Sequence, residues 1–453
     1  MGSWRWALVL VVVLGCGDDD AAFDGGIDAG MDAGADATVP TDTGVDPGDS
    51  GVDAGEDAAA SAVNVLFPRT GLLPEELGVV INEDDPQSVA VGERYLEARG
   101  VPAENVVRVR LPIEDRISRE AFASVEEAIA GLPDAVQGLA VTWTRPYRVD
   151  CMSVTSALAF GFDERFCNTT GMTCGATGAS DLFRSDSTRP FADHGARPAM
   201  MLAAASTEDA LALIDRGVAS DGTLPTGDGY LVRTTDTARS VRWPTFEGLP
   251  ARWSGLSLTY VDNADGSGAN VIQDTGNVLF YFTGLARVPE IDTNTYLPGA
   301  VADHLTSFGG RVPTAGGQMS VVRWLEAGAT GSYGTVLEPC NFQQKFPNVP
   351  IFLSAYFRGA TLLEAYWSSV RWPGEGLFVG EPLARPFERQ VATVEEEEVV
   401  LETNAILPGD EGWVVESADS ADGPWTVVLE VTATEWARQT VRVPRAPWLR
   451  LRR

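Results

Sequence analysis

The run Leu77-Gly-Val-Val-Ile81 has no polar alternation, as expected of a strand buried on both faces. Asp85-Pro86 follows, with Val89, Tyr95 and Leu96 at helical spacing and Arg99-Gly100 at the end. An acidic cap, a first-turn proline and a closing glycine predict a helix. Val106 to Leu111 reads as the next strand, Ser118 to Ala130 as a helix stopped by Gly131, and Leu139 to Trp143 as a third strand. From Arg145 to about Ala196 the pattern breaks into Gly, Ser and three of the cysteines. Irregular stretches of this length are functional or stapled. Periodicity resumes with a strand at Ala199 to Ala204 and a helix at Thr207 to Arg216. Strands follow at Tyr230 to Arg233, Leu256 to Val261 and Val278 to Phe282. Met319 to Glu326 reads as a helix, Thr330 to Val336 as a strand, Thr361 to Val370 as a helix and Gly376 to Val379 as a strand. The fold class is α/β over residues 63–387, with a mostly parallel sheet flanked by helices. A charge run at Glu395 to Glu398 then opens a different pattern. Val, Leu and Trp alternate with polar residues, broken at Pro408-Gly409, Asp422-Gly423-Pro424 and Pro444. Residues 388–453 read as a small all-β sandwich domain.

The N-terminus is patterned for export. Arg5 precedes an apolar run from Trp6 to Leu14 that ends Val13-Leu14-Gly15-Cys16. A bilayer span needs about 20 such residues, so residues 1–15 read as a secretory signal. The ending resembles a bacterial lipobox, which implies lipidation at Cys16 and a membrane partner reached through that lipid. Each buried CH₂ contributes about 0.8 kcal/mol, so two or three chains anchor firmly. Gly17 stands where an aspartate would retain the protein at the inner membrane, which favours the outer membrane.

Residues 17–62 hold twelve Asp, one Glu and no Lys or Arg. The unit Asp-Ala-Gly recurs at 28–30, 32–34 and 53–55. Such a segment buries too little apolar surface to offset ordering entropy, so 16–62 reads as a lipidated cysteine plus a disordered acidic tether. The whole chain carries a net charge of −31, which argues against nucleic acid as a partner. Lys345 is the only lysine.

Beyond Cys16, four cysteines remain: Cys151, Cys167, Cys174 and Cys340. An even number in an exported chain suggests disulfides, with three connectivities open. The short polar turn between Cys167 and Cys174 favours that pair, leaving Cys151 with Cys340.

Three stretches resemble a family of exported bacterial proteins that carries no established activity. The first runs from Gly78-Val-Val-Ile-Asn82 through Tyr95 to Arg99-Gly-Val-Pro102. The second is Leu297-Pro-Gly299 to Asp303-His304-Leu-Thr306-Ser307 and Gly310. The third is Gly328 to Tyr333-Gly334 and Glu338-Pro339-Cys340, followed by Gly380-Glu-Pro382; Leu213 to Gly217 joins them. The chain is also distantly similar to the caspase and gingipain class of cysteine peptidases. The strand Val278 to Phe282 running into Thr283-Gly284 resembles the one that ends in that class's catalytic Gly-His-Gly. That resemblance implies a caspase-like fold without its dyad, because Leu285 stands at the histidine position and 288–310 contains no cysteine. An active thiolate needs an imidazole within hydrogen-bond reach.

Only two histidines exist, His194 and His304. An alternative catalytic set is therefore Cys340 with His304 and Asp303, placed at strand carboxyl ends where parallel-sheet sites form. Binding candidates at the same place are Asp303, His304, Thr306, Ser307, Tyr333 and Glu338. Isolated histidines without ligand spacing call for no metal, and the absence of Gly-rich phosphate loops and a G-x-S-x-G elbow calls for no cofactor. The sequence thus points to an envelope-anchored protein with a binding or structural role and a peptide or glycan ligand. The alternatives are a cysteine hydrolase and a carbohydrate-binding surface protein acting through Trp413, Trp425 or Trp448.

Overall fold

A computed structural model describes residues 63–453. The expected signal peptide, lipidation at Cys16 and acidic tether fall outside the described residues. Ten strands form one large sheet with helices on its faces. Its two halves run in opposite directions. In the first, strands 257–262, 228–233, 278–284, 296–305 and 331–335 are parallel neighbours. In the second, strands 376–380, 199–201, 138–141, 77–82 and 106–109 are parallel to one another. The halves meet where Gly331–Thr335 pairs antiparallel with Gly376–Gly380. Every residue of Leu77–Asn82 is buried, as a central strand covered on both faces requires.

The helix Pro86–Arg99 starts on Asp85, whose carboxylate accepts the Gln87 N–H, and ends at Gly100 in the left-handed region. It rests directly on the sheet: a Cβ at Gly92 would sit 2.6 Å from Ile81 Cδ1.

Three separate stretches of the chain converge on one buried carboxylate. Glu381 is fully buried and accepts the Tyr95 hydroxyl at 2.8 Å and Arg99 Nε at 2.9 Å. Arg99 also contacts Asp221. Gly217 completes the pocket, since a Cβ there would lie 2.3 Å from Glu381 Cγ. These stretches therefore fasten helix, helix and sheet end together. Glu381→Gln keeps the shape and removes the charge opposite a nearly buried guanidinium. A loss of about 2–3 kcal/mol is expected in denaturant unfolding, and an unchanged midpoint would show that Arg99 finds another partner.

The excursion after Arg145 is stapled by two disulfides, Cys151–Cys167 and Cys174–Cys340. All four cysteines are paired, but not as the sequence favoured. Cys167 turns inward to pack in the main core, which takes it away from Cys174, while Cys174 reaches the loop after the strand 331–335.

In the C-terminal region, the sheet of strands 391–394, 398–403 and 439–444 packs against the sheet of strands 414–418, 426–430 and 448–452. Val399, Leu401 and Val441 from one share a core with Val415, Leu449 and Leu451 from the other. The first strand of the described chain, Asn64–Leu66, joins this module by pairing parallel with Trp448–Arg450. The module is fixed to the α/β unit by Trp253, whose ring meets Trp436 and Phe357 at 5.0 Å. Arg358 pairs with Asp410 at 2.9 Å across the same boundary.

Candidate functional site

The strands Val278–Gly284 and Tyr296–Leu305 lie in register, with Phe282 opposite Asp303 and Thr283 opposite His304. Successive side chains of a strand point to opposite faces, so Asp303 and His304 enter different layers.

On one face, Arg242 Nη2 donates to Asp303 Oδ1 at 2.5 Å and to the Thr283 carbonyl at 2.8 Å. The pair is buried, and burial pushes the Asp303 carboxyl up against the opposing pull of Arg242. Asp303 Oδ2, Arg242 Nε and Nη1, and Thr283 Oγ1 have no partner among the described residues.

On the other face, Trp324 Nε1 donates to His304 Nδ1 at 2.9 Å. The ring proton is therefore on Nε2, which donates to the Met319 carbonyl at 3.2 Å. Burial without a counter-charge pushes the imidazole down to about 3, so His304 is neutral at any physiological pH. Trp324, Tyr281 and Tyr296 pack with it as a separate cluster.

Above these layers the strand ends are closed. A Cβ at Gly284 would lie 2.0 Å from the Arg239 carbonyl, so the loop carrying Arg239 sits directly on the strand. Arg239 Nε donates to Thr306 Oγ1 at 3.2 Å, and Thr306 donates to Gln318 Oε1 at 2.9 Å. Tyr333 is buried, with its hydroxyl donating to the Lys345 carbonyl at 2.5 Å. Lys345 is itself buried and pairs with Glu375 at 2.6 Å.

The expected site residues therefore divide. Asp303, His304, Thr306 and Tyr333 are interior and line no surface. Ser307 and Glu338 are half-buried. Glu338 accepts the Cys340 N–H at 2.9 Å, holding that cysteine at φ 47°, where its sulfur joins Cys174. The Cys340–His304–Asp303 set is not assembled: the sulfur is bonded, both imidazole nitrogens are occupied, and Asp303 faces the opposite layer. Polar residues at strand ends face the core here because each found a buried partner, which spacing along the chain cannot reveal.

Beside the strand ends lies an open cleft of about 420 Å³, lined by Arg287, Ile291, Asp292, Thr314, Ser320 and Arg323. Arg287 donates to the Gly316 and Gly317 carbonyls, and Arg323 pairs with Asp292. This mixed-charge rim is accessible and is lined in part by the loop that follows the strand Val278–Gly284. No sequence motif marked it.

The second histidine, His194, lies 2.8 Å through Nε2 from Ser185 Oγ on the exterior of the stapled excursion. Ser185 Oγ also accepts the Ser187 N–H at 3.2 Å, a turn interaction that serine hydroxyls commonly make. Of the tryptophans considered for sugar binding, Trp413 is nine-tenths buried. Trp425 is half-buried under Arg450, whose guanidinium stands 4.2 Å from its ring. Trp448 is half-buried within its strand. None of the three is a freely exposed platform.

No family model matches the chain, and no curated protein does. Solved structures show slight overall likeness. One described as a protease has a TM-score of 0.36 at 10% identity, over 82% of this chain and 97% of that one. The Arg-specific cysteine proteinase gingipain R has a TM-score of 0.34 at 10% identity, over 83% and 98%. The pro- and mature domains of RgpB from Porphyromonas gingivalis give 0.31 at 8% identity, over 83% and 99%. Likeness at this level transfers no residue roles.

Proposed function

We propose that this is an exported lipoprotein, anchored through Cys16 in the bacterial outer membrane, whose caspase-like α/β unit binds rather than cleaves. Its ligand is a peptide or glycan. The binding surface is the accessible rim beside the strand ends, from Ser307 and Glu338 to the cleft between Arg287 and Arg323. One observation carries the reading: the sulfur and the imidazole nearest the strand ends, Cys340 and His304, are each committed elsewhere, and Leu285 follows the strand where the resemblance expects a histidine. Acyl transfer by a thiolate needs both groups free and adjacent. A cleft of this size suits a ligand of a few residues.

The mature full-length protein, extracted in detergent, would be assayed against a broad peptide library, with His304→Ala and Cys340→Ala as controls. No cleavage above background is expected from any of the three. Cleavage by wild type that both variants lose would contradict the proposal. Intact mass should show a diacyl or triacyl adduct on Cys16, and an unmodified N-terminus at another residue would remove the anchor from the account.

A further inference from the structure

Away from the strand ends, Arg184 holds an uncommon position. Its backbone is left-handed, at φ 64°, a conformation that costs a non-glycine residue about 1 kcal/mol or more. The surrounding chain enforces it, since the Arg184 N–H donates to the Ser368 carbonyl at 2.8 Å. Its guanidinium has no carboxylate partner among the described residues. It rests 5.5 Å from the Phe183 ring and remains exposed.

Arg184 also borders three adjoining clefts. The largest, about 630 Å³, lies between the C-terminal module and the α/β unit. It is lined by Arg69, Arg184, Arg358, Arg450, Arg452 and Arg453, against only Asp186 and Asp410. This clustering runs against the composition of a chain with 64 acidic and 33 basic residues. The neighbouring carboxylates consume only part of these donors: Arg69 is spent on Glu76 and on the Gly71 and Thr188 carbonyls, and Arg453 pairs with Asp186 at 3.0 Å, but the rest keep free N–H groups. Arg450 and Arg452 share the single carboxylate of Glu416, each through Nε and Nη2, which leaves both Nη1 groups unspent. Arg358 gives only Nη2 to Asp410. Trp413 lines the same cleft, and its buried indole N–H has no acceptor among the described residues.

Guanidinium forks match the planar oxygens of carboxylates and the tetrahedral oxygens of phosphates. Several converging forks select ligands that carry more than one such group. We propose that the groove centred on Arg184 is a binding site for a small ligand bearing two or more phosphate or carboxylate groups. The site is independent of the strand-end rim, and its volume admits a ligand the size of a mono- or disaccharide derivative. The strained backbone at Arg184 projects an unpaired charge where the clefts join.

The test is isothermal titration of the full-length protein with pyrophosphate and with citrate, using trehalose as a neutral control. Arg184→Glu and Arg452→Ala serve as variants. Arg184 has no ion-pair partner among the described residues to orphan, and Arg450 still satisfies Glu416 when Arg452 is removed, so both variants should fold. Saturable binding of at least one anion is expected, with none for trehalose. Affinity should fall about tenfold or more in Arg184→Glu, and it should weaken with added salt. The absence of saturable binding up to about 10 mM of either anion, or equal affinity in wild type and Arg184→Glu, would overturn the site.

Discussion

Replacing Cys174 and Cys340 together with serine is expected to lower the stability of the folded chain by about 5 kcal/mol. The two residues are 166 positions apart, with Cα atoms 5.9 Å from each other. Closing a loop of that length removes much of the unfolded chain's freedom, on the order of 5 kcal/mol in the chain-entropy account. The Cys151–Cys167 bridge spans 16 positions, for which the same account gives about 3 kcal/mol. Guanidinium unfolding of the two double variants under non-reducing conditions should therefore rank them, with the Cys174–Cys340 variant the weaker. Equal losses, or the reverse order, would mean that native packing around Cys167 outweighs loop length.

The second large effect is a pH dependence carried by His304. In the folded chain its imidazole titrates near 3, against about 6.5 in an unfolded chain. Above pH 6.5 the ring is neutral in both states and makes no difference. Below it, the unfolded chain binds a proton that the folded chain cannot accept, because Nδ1 is filled by the Trp324 N–H and no carboxylate stands beside the ring. Stability from this group is thus full above pH 6.5 and drains away as pH falls toward 3. The magnitude is on the order of 4 kcal/mol across that window. Carboxylates titrate there too, so the informative quantity is the difference between wild type and His304→Gln. That difference should shrink as pH falls from 7 to about 3.5. A constant offset would mean that the folded ring can take a proton.

Much of the framework was legible because period and punctuation agreed. Leu77–Asn82 is the buried strand its apolar run predicts, and Pro86–Arg99 has the cap, the proline and the closing glycine expected of it. The strand Tyr296–Leu305 escaped because Pro298, Gly299, Asp303 and His304 interrupt its apolar pattern. Its polar members are tolerated only because Arg242, Trp324 and Met319 meet them from distant parts of the chain. The helix Val349–Phe357 is hidden for the opposite reason: Pro350, Ile351 and Ala355 on its less buried side are apolar too, which masks in the sequence the helical spacing of the buried Val349, Phe352, Leu353, Tyr356 and Phe357. Disulfide partners depend on which cysteine turns inward, and Cys167 turns toward the core, which spacing does not encode. The candidate site failed as a surface on the same grounds. Asp303, Thr306 and Tyr333 have the composition of a cleft, yet each points inward to a partner in the protein, through Oδ1 alone in the case of Asp303.

The central claim is that the polar groups at these strand ends are built into the fold and hold no reactive thiol. The most direct measurement is alkylation of the native, full-length protein with iodoacetamide, followed by denaturation in the same reagent and non-reducing peptide mapping. The account predicts linked peptides for Cys151–Cys167 and Cys174–Cys340, with none of the four alkylated. Alkylation of Cys340 in the native protein, together with loss of a peptide-cleaving activity on that modification, would contradict it.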